Sequence, residues 1–361
     1  MILDAWQLLD FEKVTSTEPL HVSVILPCRN EARNIRSTLE SVVASDFPKD
    51  QLELLVVDGQ SDDGTREIVI EFSKRHPWIT LLDNVRRITP SAMNIGIQSA
   101  QGQIVIRMDA HNVYPANYVS GLVTWLVRSK ADNVGGISIV RPANQTPKAH
   151  AIAFALSHPW GVGNSHFRIG AAEPKWVDTV PFGCYWREVF DRIGLYNEAL
   201  VRNQDDELNH RLIKHGGRIL LVPEIMSFYT ARESLGKLCV MYFQYGYFKP
   251  LAVRTIGAVM TARQLVPSAF VMSLALTAFL APWSYMMAVL FKAIVIAYAA
   301  LDLSISLQAA LGRSVRCGLW SVVVFPILHM SYGIGYLKGI LDFFVLRKRE
   351  TPDPVALPLS R

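Results

Sequence analysis

Cysteine is scarce in this chain of 361 residues: Cys28, Cys184, Cys239 and Cys317 stand far apart and never as a Cys-x-x-Cys pair. That spacing argues against a zinc ribbon or a dithiol redox motif and makes reduced thiols the expectation. The opening, MILDAWQLLDFEKV, carries Asp4, Asp10 and Glu12 and lacks the basic start and long apolar core of a secretory signal. A cytosolic N-terminal part is therefore expected. No internal repeat is visible. Acidic residues are few toward the C-terminus: residues 232–361 hold 13 Lys and Arg against 5 Asp and Glu, net +8, whereas residues 1–231 hold 23 against 26, net −3. Basic charge alone would suit nucleic acid. The same stretch is also the most apolar, which points to membrane lipids and no nucleic acid.

The apolar stretches are long. Residues 266–291 run for 26 residues without a charge, 293–312 contain only Asp302, and 317–337 contain none. A bilayer crossing needs about 20 apolar residues, so each qualifies by length. A buried helical domain in water is the weaker alternative, because soluble cores seldom hold runs this long. Residues 235–257 mix aromatics with Lys237, Lys249 and Arg254, as a helix lying in the membrane interface would. A cytosolic start and a cytosolic Arg347-Lys348-Arg349 require an even number of crossings. Three candidates satisfy this only if one is re-entrant or residues 337–346 complete another span.

Before residue 140 the pattern alternates. VSVILP (22–27), LELLVVD (52–58), ITLLD (79–83), residues 103–108 and VGGISIV (134–140) read as strands. Residues 31–44, 63–75, 90–100 and 115–129 read as helices. Strands alternating with helices predict an α/β fold, a mainly parallel sheet covered by helices on both faces. Such sheets carry their chemistry at the carboxyl ends of strands. Residues 141–150 look like a loop. Residues 158–176, rich in Gly, aromatics and His, read as mobile or substrate-facing.

Acidic groups sit where that rule wants them. Asp58 ends the second strand, and Asp63-Gly64-Thr65 opens the next helix. Asp109 and His111 follow the strand at 103–108. On an extended chain, positions two apart face the same way, so these two side chains would converge. Residues 203–212, NQDDELNHRL, place Asp205, Asp206 and Glu207 in the first turn of a helix that Asn203 can cap. Glu207 and Arg211, four apart, can pair on it.

The segments VSVILPCRNEARNI, VVDGQSDDGT, PSAMNIGIQSAQG, DAH and QDDELNHRL occur in the order found in family 2 glycosyltransferases, and the chain resembles that family over residues 22–212. RMDAH, RNQDDELNHRL, YFQYGYFK and the trailing apolar helices most resemble its ExoA-type members, which build succinoglycan-type bacterial exopolysaccharide. The resemblance implies a Rossmann-like GT-A catalytic domain over 1–232, interfacial amphipathic helices over 233–264, transmembrane helices over 265–346 and a basic cytosolic tail over 347–361. It implies an inverting transferase in the bacterial inner membrane. The donor would be a nucleotide sugar, in the first instance a UDP-sugar, and the acceptor lipid-linked.

Residue roles follow from the same resemblance. Pro27, Arg29, Glu31, Asp58, Asp63, Arg87, Ser91, Asn94 and Asp109 would bind the nucleotide sugar, with Asp58 accepting N3–H of a uracil. Asp109 and His111 match the family's Asp-x-Asp metal site with His in the second place, implying Mn²⁺ or Mg²⁺. Imidazole favours Mn²⁺. Asp205, in register with the first Asp of Glu-Asp-x-Asp/Glu-Leu-x-x-Arg, would be the general base, and Asp206 is the neighbouring candidate. Trp186 and Arg187, in PFGCYWREVF, are candidates for acceptor contact. Processive synthases of the family carry Gln-x-x-Arg-Trp; this chain lacks it, which favours a single transfer. A polyprenyl-phosphate sugar synthase, a processive polysaccharide synthase and an inactive membrane assembly component remain as alternatives.

Overall fold

The structure, a computed structural model, describes residues 19–257 and 261–348; the acidic opening, Arg349 and the tail beyond it lie outside the described residues. In chain order the elements are β1 (Val22–Cys28), α1 (Ile35–Val43), β2 (Leu52–Asp58), α2 (Thr65–Arg75), β3 (Ile79–Asp83), α3 (Thr89–Ser99), β4 (Ile104–Arg107), β5 (Asn112–Val113), α4 (Tyr118–Ser129) and β6 (Asn133–Arg141). They continue with α5 (Pro147–Ala155), α6 (Pro159–Val162), α7 (His166–Ile169), β7 (Lys175–Trp176), β8 (Cys184–Trp186), α8 (Glu188–Ile193), α9 (Gln204–Lys214), β9 (Ile219–Thr230), α10 (Leu235–Ile256), α11 (Val266–Leu280), α12 (Tyr285–Gly312) and α13 (Val315–Ile340). The chain forms two compact units. One comprises Met1–Ser138, Gly170–Tyr196 and Arg211–Ser227; the other comprises Ile139–Ile169, Asn197–His210 and Phe228–Arg361.

The first unit is built on the sheet, with strand order β3-β2-β1-β4-β8-β6-β9-β5 and β7 paired to β9. β3, β2, β1 and β4 run parallel, while β8 runs antiparallel to β4 and β6. The β-branched runs of the parallel strands are buried through the sheet centre: Ile25, Leu26, Leu54, Ile104 and Ile106 are fully enclosed, each contributing roughly 1.5–3 kcal/mol by leaving water. Gly96 lets α3 settle on β1, since a Cβ there would lie 2.4 Å from Ile25 Cγ2. Register then aligns the strand ends: Cys28 is level with Asp58, and Asp58 with Asp83. Pro27 lies beyond the part of β1 that pairs with β4, so its missing N–H breaks no bond in that ladder.

The second unit is helical. The expected loop at 141–150 is in part the helix α5. Thr146 caps it by accepting from Ala149 N at 3.3 Å, with Pro147 at the first helical position, a start signal outweighed in the sequence by the polar residues before it. Ala149, Ala151, Ala153 and Ala155 are buried, and α5 packs against α13. The run at 266–291 is also divided differently. α11 stops at Leu280, and Ser284 caps α12 by accepting from Met287 N at 3.4 Å. Pro282 sits in the break, whereas Lys292 lies inside α12. Residues 337–346 continue α13 through one π-type turn, Leu341–Val345, and make no separate span. Three helical stretches, Ala262–Leu280, Tyr285–Gly312 and Val315–Val345, are long and apolar enough to cross a membrane. Their surfaces leave Phe279, Tyr285 and Leu311 largely exposed, as a hydrocarbon solvent would require.

Candidate active site

Backbone strain marks the carboxyl edge of the parallel strands. Among the described non-glycine residues with positive φ, Asn30 follows β1, Gln60 follows β2, Arg87 follows β3 and Phe182 precedes β8. Asn tolerates this conformation; Gln, Arg and Phe adopt it at a cost of about 1–3 kcal/mol each. Such strain collects at functional sites, and nothing in residue type announced it at Gln60, Arg87 or Phe182. Phe182 joins the same edge because the carbonyl of Gly183 accepts from Arg107 N at 3.1 Å.

Asp58 is wholly enclosed. Its Oδ1 accepts from Ser61 Oγ at 2.5 Å and faces Cys28 Sγ at 3.7 Å, while Oδ2 accepts from Ser61 N at 3.0 Å and Arg66 Nη1 at 2.8 Å. Arg66 also donates to Asp83 at 2.7 Å. A carboxylate offers about four lone-pair directions, and all are used. A base N–H reaching Asp58 must displace one donor, and the thiol, the weakest, yields at least cost. Asp63 ties two loops together: it accepts from Ala32 N at 3.0 Å and from Thr65 Oγ1 and N. The helix cap position itself falls to Gly64, at φ +98°. Burial pushes the Asp63 carboxyl up, but hydrogen bonds from the Thr65 side chain and the Ala32 and Thr65 amides outweigh it and hold the group below the usual carboxylate range.

Asp109 is different. β4 ends at Arg107, and residues 109–112 close a turn in which Asn112 N donates to the Asp109 carbonyl at 3.3 Å. The alternation argument for Asp109 and His111 therefore fails, because the chain is not extended there. What the turn brings together instead is Arg107 with Asp109, 3.1 Å from Nε to Oδ1, and His111 Nδ1 with Glu31 Oε1 at 3.5 Å. The Asp109 side chain stays 19% exposed. Its amide donates to Tyr114 Oη at 2.7 Å. Tyr114 is enclosed, and burial, the nearby Tyr118 and Asp109 itself push its hydroxyl well above the ordinary tyrosine value, so it stays a neutral prop. Among the described residues, no three His, Cys, Asp or Glu side chains gather as a ready-made metal cage.

The remaining expected residues divide. Arg29 sits on this edge with its Nε buried and without a hydrogen-bond partner among the described residues. Arg87 donates to Gln60 Oε1 at 2.8 Å. Ser91 is buried. Asn94 is a clamp: its amide nitrogen donates to the Tyr196 carbonyl and its oxygen accepts from Tyr196 N, both at 2.9 Å. Trp186 and Arg187 lie elsewhere on the sheet. β8 is antiparallel to β4, Trp186 pairs with Ile104 and Arg187 N donates to the Gln103 carbonyl at 2.8 Å. Both therefore lie at the amino end of β4, the opposite end from Asp109, and Trp186 packs on the sheet core.

Asp205 and Asp206 open α9 in the second unit. Asp206 N donates to Asp205 Oδ1 at 3.0 Å. Asp206 pairs with Lys249 of α10, whose side chain is 10% exposed. Arg202 donates to Gln244 Oε1 at 3.4 Å and Asn203 to the Tyr245 carbonyl at 3.3 Å, so the entry to α9 is fastened to α10. Arg211 donates to the carbonyls of Ile193 and Leu195. Arg66 and Arg107 were not singled out from sequence, and Lys249 was named only as a basic residue of the interfacial helix; a lone basic residue carries no signal of the carboxylate it will meet.

Comparison with known proteins adds a third line. Residues 23–194 match the family described as Glycosyl transferase family 2. The chain is 31% identical over 334 residues to the succinoglycan biosynthesis protein ExoA of Rhizobium meliloti, covering 92% of this chain and 98% of that protein. It is 30% identical over 241 residues to a dolichyl N-acetyl-alpha-D-glucosaminyl phosphate 3-beta-D-2,3-diacetamido-2,3-dideoxy-beta-D-glucuronosyltransferase of Methanococcus voltae, covering 64% and 74%. Among solved structures, a mannosyltransferase of Pyrobaculum calidifontis in complex with GDP-mannose and Mn²⁺ superposes with a TM-score of 0.58 at 22% identity, covering 89% and 88%. At that identity the likeness is one of fold.

Proposed function

The chain belongs to glycosyl transferase family 2, and from that membership we propose that it moves one sugar from a nucleotide sugar, a UDP-sugar in the first instance, to a polyprenyl-diphosphate saccharide. The product would serve bacterial exopolysaccharide or another cell-surface glycan. The setting is the inner membrane, crossed more than once, with the sheet-built unit in the cytosol. The observation that carries this reading is Asp109: a strand-end carboxylate with one guanidinium partner, partial exposure and lone pairs to spare. Arg29, with an unsatisfied buried N–H on the same edge, suits a phosphate oxygen. The relatives support the setting, since one is named for succinoglycan biosynthesis and another for a dolichyl-phosphate-linked sugar.

The residue types on this turn suit a divalent ion, although the described side chains are not gathered into a cage. Asp109 and His111 give one carboxylate and one imidazole, and Mg²⁺ or Mn²⁺ sites of this kind take their other ligands from substrate phosphates and water. Bound there, the ion would neutralise charge developing on the departing nucleoside diphosphate. The protein's own groups do the rest. Asp205 takes the proton from the acceptor hydroxyl as that oxygen attacks the anomeric carbon and the bond to the diphosphate breaks. Asp206, held by Lys249, keeps the first turn of α9 in place. One displacement inverts the anomeric centre, so an α-linked donor gives a β-linked product.

The test is transfer by the purified full chain in detergent, screening UDP-glucose, UDP-galactose, UDP-N-acetylglucosamine and GDP-mannose with Mn²⁺ and lipid extract as acceptor. A positioned base contributes about 10²–10⁴-fold, so Asp205→Asn should lose that much while the fold persists. Asp205→Asn at wild-type rate, or a product retaining donor stereochemistry, removes Asp205 as base. No transfer with any donor would favour the inactive assembly component.

A further inference from the structure

A cluster of arginines and tyrosines in the second unit is left over by this mechanism. The Arg168 guanidinium lies 4.5 Å from the centre of the Tyr229 ring, and its Nη1 is buried without a hydrogen-bond partner among the described residues. Tyr242 and Tyr245, one turn apart on α10, meet edge-on with centroids 5.8 Å apart. Burial and Tyr229 push the Tyr245 hydroxyl up from its ordinary value, while Arg202, Arg168 and Arg232 pull against that, so the three arginines lie within electrostatic reach of that phenol. Two carboxylates near this cluster have lysine partners: Asp206 pairs with Lys249 and Glu233 with Lys237. Arginine forks and neutral phenols together offer many N–H and O–H donors in fixed directions, the set that phosphate esters require. Enclosing an unsatisfied guanidinium N–H costs on the order of 1–3 kcal/mol or more, which a bound anion would recover.

The helix beneath the cluster limits which phosphate can arrive. α10 packs directly on α13: a Cβ on Gly246 would lie 2.1 Å from the Tyr332 carbonyl oxygen, on Gly335 2.2 Å from that of Phe243, and on Gly339 2.4 Å from that of Tyr247. Backbone against backbone, α10 is fixed to a helix long and apolar enough to cross a membrane. An anion held between Tyr242, Tyr245 and Arg168 thus sits beside that helix, where its hydrocarbon tail would find hydrocarbon.

We propose that Arg168, Arg202 and Arg232, with Tyr242 and Tyr245, hold the diphosphate of the lipid-linked acceptor. This rests on the transferase reading and deepens it: the site would recognise the lipid diphosphate as a class, independently of the sugar beyond it. Binding is measured on the full chain in detergent by quenching of tryptophan fluorescence. The probes are a long-chain polyprenyl diphosphate, the same lipid as monophosphate, inorganic pyrophosphate and UDP. Loss of one charge-assisted contact should weaken the lipid diphosphate about 10- to 100-fold in Arg168→Gln, with Arg168→Lys recovering part and UDP affinity moving less than about twofold. The melting temperature of each variant separates loss of fold from loss of contact, and if Arg168→Gln fails to fold, Arg168→Lys against wild type carries the comparison. Equal lipid affinity in Arg168→Gln and wild type overturns the site while leaving the transferase intact. An equal loss for UDP assigns the arginines to the donor and also overturns it. Wild-type transfer to a soluble sugar, with no lipid diphosphate bound, overturns both the site and the lipid-linked reading.

Discussion

Asp58 and Asp109 both stand at the carboxyl ends of parallel strands, and the structure spends them differently. Asp58 is 0% exposed and has donors on every side: Ser61 twice, Arg66 and Cys28. Asp109 is 19% exposed and is met by Arg107 alone among the described side chains. A filled carboxylate shapes its surroundings; one with unused lone pairs can take a ligand. The contrast orders the edge. β2 ends in a hub that ties Ser61, Arg66 and Asp83 into one network, and β4 ends in a turn where Asp109 meets Arg107 and His111 meets Glu31.

Removing the carboxylate at Asp109 tests the exposed side first. Asp109 would help to hold a divalent ion, and such an ion would supply several kcal/mol of transition-state stabilisation, so Asp109→Asn is expected to lower transfer by about 10³-fold and to abolish the response to Mn²⁺. Some stability goes with it, since Arg107 loses its counter-charge. Retained Mn²⁺-dependent transfer in this variant would erase the distinction between the two ends. The buried side should answer in stability. Asp58→Asn gives up charge-assisted bonds from Arg66 and Ser61, costing about 2 kcal/mol, or roughly 4–8 °C of melting temperature for a unit of this size. A thermal scan of the two variants decides the matter: Asp109→Asn melting below Asp58→Asn would reverse the comparison.

Much of the fold was legible because it rests on periodicity. The alternating runs from Val22 to Asp83 became β1, α1, β2, α2 and β3 within a few residues, and α10 spans Leu235–Ile256 where an interfacial helix was expected. Two boundaries were missed where a local stop outweighed hydropathy: Pro282 and Ser284 end an apolar run that carries no charge, and Thr146-Pro147 start a helix inside a polar one. At the candidate site, sequence placed the aspartates on the right strand ends but could not supply their partners. Arg66 reaches Asp58 from eight residues away and Lys249 reaches Asp206 from 43, distances over which spacing says nothing. Where Trp186 and Arg187 lie was hidden for a related reason. A strand's direction in the sheet decides which end its residues occupy, and an antiparallel β8 sends them away from the edge that its first residues approach.

The smallest expected effect sharpens what a filled carboxylate contributes. Asp63 accepts from Ala32 and Thr65, and its carboxyl is held below the ordinary value because those donors outweigh the cost of burial. A carboxyl that is more acidic folded than unfolded stabilises the fold above its unfolded value of about 3.9 and loses that contribution as pH falls through the lower folded value. Asp63 is exposed to solvent, so screening keeps the contribution near 0.5 kcal/mol. Asp63→Asn should therefore melt about 1–2 °C below the parent at pH 7, and the two curves should meet as pH drops below roughly 4. A gap that persists unchanged into acid would mean that the Asp63 bonds matter through geometry alone. The loop after β2 would then be held by its backbone, with Asp58 left as the one carboxylate there whose charge the fold uses.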